Sequence, residues 1–134
     1  MQLKMRYISA FLLCVYIVTV AALCFMKPSS LPQVELDFFG IPMDKVVHFI
    51  MFLPFSILAY MTFWPADAGR IRKMAVLLVI VIFGAGMAVA TERIQAMTGY
   101  RTGDIMDFAA DMTGILTGAA LTALFILLKK DRKN

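Results

Sequence analysis

Four stretches of the chain, residues 7–26, 46–63, 74–91 and 112–128, contain no Lys, Arg, Asp or Glu. They are seventeen to twenty residues long, enough to cross a hydrocarbon layer of roughly 30 Å as helices. The first predicted helix covers 7–26 and stops at Lys27-Pro28-Ser29-Ser30, where proline and serine follow the apolar run. The longest connection, 31–43, carries Phe38-Phe39-Gly40, a segment expected to lie in the membrane interface with its rings at headgroup depth. Asp44 is placed as the N-cap of a second helix over 45–63. Pro54 lies inside that helix and is expected to kink it. Trp64-Pro65 ends it, and a short loop over 66–72 contains Gly69, Arg70 and Arg72. A third helix is predicted over 73–97 and a fourth over 104–128.

Composition agrees with this reading. The 134 residues are 61% hydrophobic, with a mean hydropathy of +0.82. The expected fold is an all-α membrane protein: one bundle of four transmembrane helices with short loops and no repeat or low-complexity segment. The first apolar run resembles a secretory signal because Lys4 and Arg6 precede it. It is long for a signal, and Met26-Lys27-Pro28 has no small-residue cleavage site, so a retained first helix is expected. Cys14 and Cys24 lie ten residues apart on that helix, about 15 Å along its axis, too far for a disulfide.

The net charge of +4 reflects membrane orientation rather than nucleic-acid binding. With both termini cytoplasmic, that side holds nine cations: Lys4, Arg6, Arg70, Arg72, Lys73, Lys129, Lys130, Arg132 and Lys133. The other side holds four: Lys27, Lys45, Arg93 and Arg101. This excess predicts both ends inside.

The candidate chemistry sits at the outer helix ends. At 100° per residue, Asp104, Asp107 and Asp111 fall within roughly 60° of one another, with Gly118 on the same side and Gly114 bordering it. Gly114 and Gly118 make a GxxxG pair suited to close helix contact. Asp111 lies about 10 Å deeper than Asp104. An aspartate facing lipid at that depth costs about 2.5–3.5 kcal/mol, so it should point inward and find a donor. Glu92 and Gln95 share a face of the third helix, and Asp44 and His48 a face of the second, with Lys45 beside them. In a chain with both ends inside, the first and third connections reach one surface, so these groups can meet. Arg101 with Asp104 or Asp107, and Lys45 with Glu92, are the expected pairs.

These residues carry a resemblance. Asp44-Lys45 with His48-Phe49, Glu92-x-x-Gln95, Arg101, Asp107, Asp111, Gly114 and Gly118 resemble, in order and spacing over about residues 40 to 120, the VanZ-like family of small bacterial membrane proteins. The family pattern has asparagine where this chain has Asp111, which adds a negative charge. The resemblance implies a multi-pass protein of the bacterial cytoplasmic membrane, in a family named for resistance to lipid-bearing glycopeptide antibiotics. It implies no reaction.

The structural account of the cluster is pairing and capping at a bundle mouth. The functional account is an outward polar pocket for a lipid-linked or amphiphilic anionic ligand. In it Lys45 and Arg101 hold the anion, and His48, Glu92 and Asp107 handle protons or hydrogen bonds. Asp44, Gln95, Asp104 and Asp111 line and orient the site. Glu92, Asp104, Asp107 and Asp111 offer oxygens suited to magnesium or calcium. Three nearby cations can neutralise them, and no metal or cofactor is expected. An assembly partner in an envelope complex is the alternative. A proton-coupled transporter is disfavoured, because the inner halves of the helices carry no ionisable relay. Gly103-x-x-x-Asp107-x-x-x-Asp111 matches half of a CDP-alcohol phosphotransferase signature, but the first half is absent. No Walker loop, Gly-x-Ser-x-Gly or His-Glu-x-x-His motif occurs.

Overall fold

The computed structural model describes residues 2–26, 37, 38, 40–99 and 104–129. In chain order the elements are α1 (Gln2–Phe25), β1 (Asp37–Phe38), β2 (Ile41–Pro42), α2 (Met43–Thr62), α3 (Arg70–Met97) and α4 (Ile105–Leu128). All four helices are long and apolar enough to cross a membrane. β1 and β2 pair antiparallel, Asp37 opposite Pro42 and Phe38 opposite Ile41. Gly40 lies between them with φ +79°, a left-handed conformation that glycine adopts without strain. The expected interfacial segment thus ends in a small hairpin that leads directly into α2, while 27–36 lie outside the described residues.

Helix ends follow local chemistry. Asp104 caps α4: its side chain accepts from the Met106 amide at 2.9 Å, satisfying a donor with no partner inside the helix. α3 begins earlier than predicted, at Arg70, with Gly69 before it. It ends at Met97 with Thr98 as its C-cap, followed by Gly99 at φ +70°, the usual place for a left-handed glycine. The N-cap expected of Asp44 is corrected: Pro42 occupies that position with no side-chain cap, and Asp44 lies in the first turn. A carboxylate there still suits the positive end of the helix dipole. α2 runs on as one helix through Pro54.

The bundle is built around α2 and α4, which share its most extensive interface; α1 packs on α2, and α3 packs mainly on α4. Gly114 and Gly118 make the close approach possible. A Cβ on Gly114 would lie 2.5 Å from the Phe49 carbonyl oxygen, and one on Gly118 would collide with the Leu53 carbonyl oxygen. Helix backbones therefore meet with nothing between them, as small-residue membrane interfaces allow. Ser56 Oγ donates to the Ile115 carbonyl across this contact at 2.9 Å. Phe52, Phe55, Tyr60, Ile115 and Ala88 fill the interior. Outward positions such as Phe11, Val18, Ile50, Leu78, Ile82, Leu121 and Leu124 are apolar and exposed, the surface a bilayer covers.

The two ends of the bundle differ. At one end the C-termini of α2 and α4 meet the N-terminus of α3. There Trp64 packs edge-on to Tyr60, with Lys129 Nζ 4.5 Å and Lys73 Nζ 5.9 Å from its ring centroid. An indole with lysines at a helix end suits a membrane–water boundary. At the other end, where α2 and α4 begin and α3 finishes, the acids gather.

Candidate site at the acidic end of the bundle

Lys45, in the first turn of α2, is the centre of one half of the site. Its Nζ lies 3.0 Å from Asp44 Oδ2 and 2.6 Å from Asp104 Oδ2, and it also bonds Asp107 Oδ1. An ammonium has three N–H donors, and here three carboxylates receive them. The expected partner Glu92 is not among these. Glu92 Oε2 instead accepts from the Asp104 backbone amide at 3.2 Å. Capping of α4 brings Asp104 to the end of α3, so the Glu92 carboxylate meets a backbone donor before it meets the lysine. The Lys45 ammonium, and secondarily the Met106 amide, hold the Asp104 carboxyl below its usual range.

One turn deeper, His48 and Asp111 form the other half. His48 Nδ1 and Asp111 Oδ1 are 2.8 Å apart, and both side chains are buried. With Asp111 ionised, Nδ1–H donates to it. Asp111 thus points inward and finds a donor, as its depth required. The other ring nitrogen, Nε2, faces Asp107 Oδ2 at 3.7 Å, beyond hydrogen-bond range but close enough for charge interaction. Asp107 therefore stands between Lys45 and His48 and touches both halves. Among the described residues, the buried Asp111 Oδ2 and Glu92 Oε1 have no hydrogen-bond partner.

Asp44, Lys45, His48, Glu92, Asp104, Asp107 and Asp111 thus come from three helices to one end. Gln95 is buried nearby on α3, but its amide donates to the Cys24 carbonyl at 3.0 Å. That carbonyl belongs to the last turn of α1, where carbonyls run out of intrahelical donors, so Gln95 ties α1 to α3. Arg101 and its expected pairing lie outside the described residues. Sequence reasoning missed the capping role of Asp104, already a candidate site residue, and the contribution of Tyr16. Asp104 as N-cap was signalled by an aspartate just before an apolar run. Tyr16, whose hydroxyl donates to the Met51 carbonyl at 2.6 Å, carried no signal, since one tyrosine in an apolar helix is ordinary.

The VanZ/LLP1 family pattern matches residues 8–127, nearly the whole chain. The chain belongs to the VanZ/LLP1 family. The resemblance carried by Asp44, Lys45, His48, Glu92 and the α4 aspartates is thereby established over a longer span than those motifs cover. Among curated proteins, an uncharacterized protein of Schizosaccharomyces pombe is 32% identical over 82 residues. The match covers 61% of this chain and 48% of that protein, so the chain spans about half the length of the curated relative it matches. No solved structure matches this VanZ/LLP1 member.

Proposed function

We propose that this VanZ/LLP1 protein lies in the bacterial cytoplasmic membrane with both termini inside, and that its acidic end faces outward to take the head group of a lipid-linked or amphiphilic envelope molecule. One observation carries the reading. Three helices bring charged side chains together, and two of these, His48 and Asp111, are buried as a pair below the rim, where capping needs no such pair. Burying ionisable groups in a membrane bundle is costly and marks functional positions. The basic, Trp64-bearing end is the cytoplasmic one on this reading. The family's link to lipoglycopeptide resistance is consistent with an envelope role.

The geometry supports the following roles. With its three donors engaged, Lys45 holds Asp104 and Asp107 in place, and the anionic part of a ligand falls to Arg101, three residues before Asp104. His48, Glu92 and Asp107 serve the head group as hydrogen-bonding and proton-exchanging groups. The alternative, a non-catalytic assembly partner, has Lys45 on its side: one ammonium joining α2 to α4 is also what a purely structural staple looks like.

Single alanine substitutions of His48, Arg101 and Asp107 separate the two. Membrane abundance, thermal stability and susceptibility of cells to a lipoglycopeptide are measured together. Folded protein in the membrane with lost protection is expected, the His48 and Asp107 variants losing some thermal stability because each leaves a charged partner unpaired. Loss of folded protein in all three supports the staple, and unchanged protection in all three removes the head-group reading.

A further inference from the structure

We propose that His48, Glu92 and Asp111 bind a first-row divalent transition-metal ion. One ligand atom from each of these residues lies within 4.8 Å of the others, and the three come from α2, α3 and α4. His48 Nδ1 and Asp111 Oδ1 are already 2.8 Å apart. Two ligand atoms sharing an ion at about 2.1 Å lie about 3–3.5 Å from each other, so this pair needs almost no movement. Glu92, on α3, supplies the third ligand atom within the same 4.8 Å.

An independent observation points to a ligand. Asp111 is fully buried, and among the described residues neither its Oδ2 nor the buried Glu92 Oε1 has a hydrogen-bond partner. Leaving a buried acceptor unsatisfied is unfavourable, more so when it is charged. The neighbouring cation does not answer this need, because the three donors of Lys45 are engaged by Asp44, Asp104 and Asp107. Neutralisation by three nearby cations was the ground for expecting no metal; of these, Lys45 is engaged by other acids and does not supply it to Glu92 and Asp111.

The donor set selects the ion. Magnesium and calcium favour all-oxygen sites, whereas an imidazole with two carboxylates suits zinc or manganese. With Nδ1 on the ion, Nε2 faces the Asp107 carboxylate at 3.7 Å, the place of the outer acid that commonly orients a metal-bound histidine. A bound ion would also offset the acid excess and make the site receptive to an anionic head group, with Asp107 left to hydrogen-bond that group. Metal binding does not depend on that use, because it is measured on the protein alone.

The full chain is purified in detergent with a tag that contains no histidine, stripped with a chelator, and titrated with Zn²⁺, with Mn²⁺, and with Mg²⁺ as comparison. His48 is the sole histidine, so the ¹⁵N NMR signal of a single imidazole ring, its Nδ1 and Nε2 resonances, reports the site. The expected result is one Zn²⁺ per chain by elemental analysis, a shift of that signal, a higher unfolding temperature, and weaker binding of Mg²⁺. Glu92→Gln and Asp111→Asn should each weaken Zn²⁺ binding by at least the roughly 10–100-fold lost on removing an outer partner of a ligand, and Asp67→Asn in the opposite loop should leave it unchanged. An imidazole signal unmoved by saturating Zn²⁺ overturns the proposal in the wild-type protein, whether or not a variant folds. Equal affinity in Glu92→Gln, Asp111→Asn and wild type overturns it as well.

Discussion

Removing Lys45 would leave Asp44, Asp104 and Asp107 facing a vacated position. The three acids do not contribute alike. The Asp107 side chain is only 9% exposed, whereas that of Asp44 is 44% exposed and can turn to water. Breaking a buried pair by deleting one partner costs about 3–5 kcal/mol, because the remaining charge stays desolvated; exposed pairs contribute about 0–1 kcal/mol. Lys45→Met should therefore destabilise the detergent-solubilised protein by about 3 kcal/mol in thermal unfolding. Asp44→Asn should change stability by less than about 1 kcal/mol. A Lys45→Met protein as stable as wild type would show that the ammonium does not hold the rim together. At this scale the sequence disclosed which residues matter better than whom each one meets. The depth of Asp111 along α4 required an inward donor, and that much follows from helix geometry. The choice of His48 as donor follows from the register of α2 against α4, which no local pattern encodes. Gln95 shows the same limit: its spacing from Glu92 puts both on one face, but the Cys24 carbonyl that captures it belongs to a helix distant in the chain.

Between helices, four glycines on α3 and α4 give a graded test of packing. A Cβ on Gly118 meets the Leu53 carbonyl oxygen, and one on Gly114 meets the Phe49 carbonyl oxygen at 2.5 Å; both neighbours are α2 backbone and cannot turn aside. A Cβ on Gly84 meets Phe55 ring carbons at 2.8 and 3.1 Å, and a side chain can yield. A Cβ on Gly86 meets nothing within 4 Å. Overpacking typically costs about 1–3 kcal/mol. Gly114→Ala and Gly118→Ala should fall at or above the top of that range, and Gly84→Ala near the bottom. Gly86→Ala should be neutral or stabilising by up to about 1 kcal/mol. Thermal unfolding of the four variants reads the order directly, and a Gly118→Ala protein as stable as Gly86→Ala would contradict the backbone contact. The GxxxG spacing made this contact legible, because it lies on the aspartate face of α4. Helix ends were less legible. Lys4 and Arg6 lie inside α1 and Arg70 and Arg72 inside α3, since long cationic side chains reach toward water from a helix that continues past its apolar stretch.

Across the whole molecule, the fold sorts charge by end. Arg6, Arg70, Arg72, Lys73 and Lys129 lie with Trp64 at one end, and Asp44, Glu92, Asp104, Asp107 and Asp111 at the other. Such sorting was readable because an even number of spans returns the chain to its starting side, so cations next to alternate helix ends accumulate together. Cations in short loops are retained on the cytoplasmic side, which predicts an outward acidic end. Cysteine labelling tests this in a background where Cys14 and Cys24 are replaced by alanine. Asp67→Cys places a thiol in the exposed turn between α2 and α3, and Thr98→Cys places one at the exposed end of α3, beside the acidic site. A membrane-impermeant maleimide applied to intact spheroplasts should modify the residue-98 thiol within minutes and spare the residue-67 thiol until the membrane is opened. The reverse pattern would turn the site toward the cytoplasm. An extracytoplasmic ligand could not then reach it, and the head-group reading would fail, while a metal bound by His48, Glu92 and Asp111 would be untouched by that result because its test uses solubilised protein.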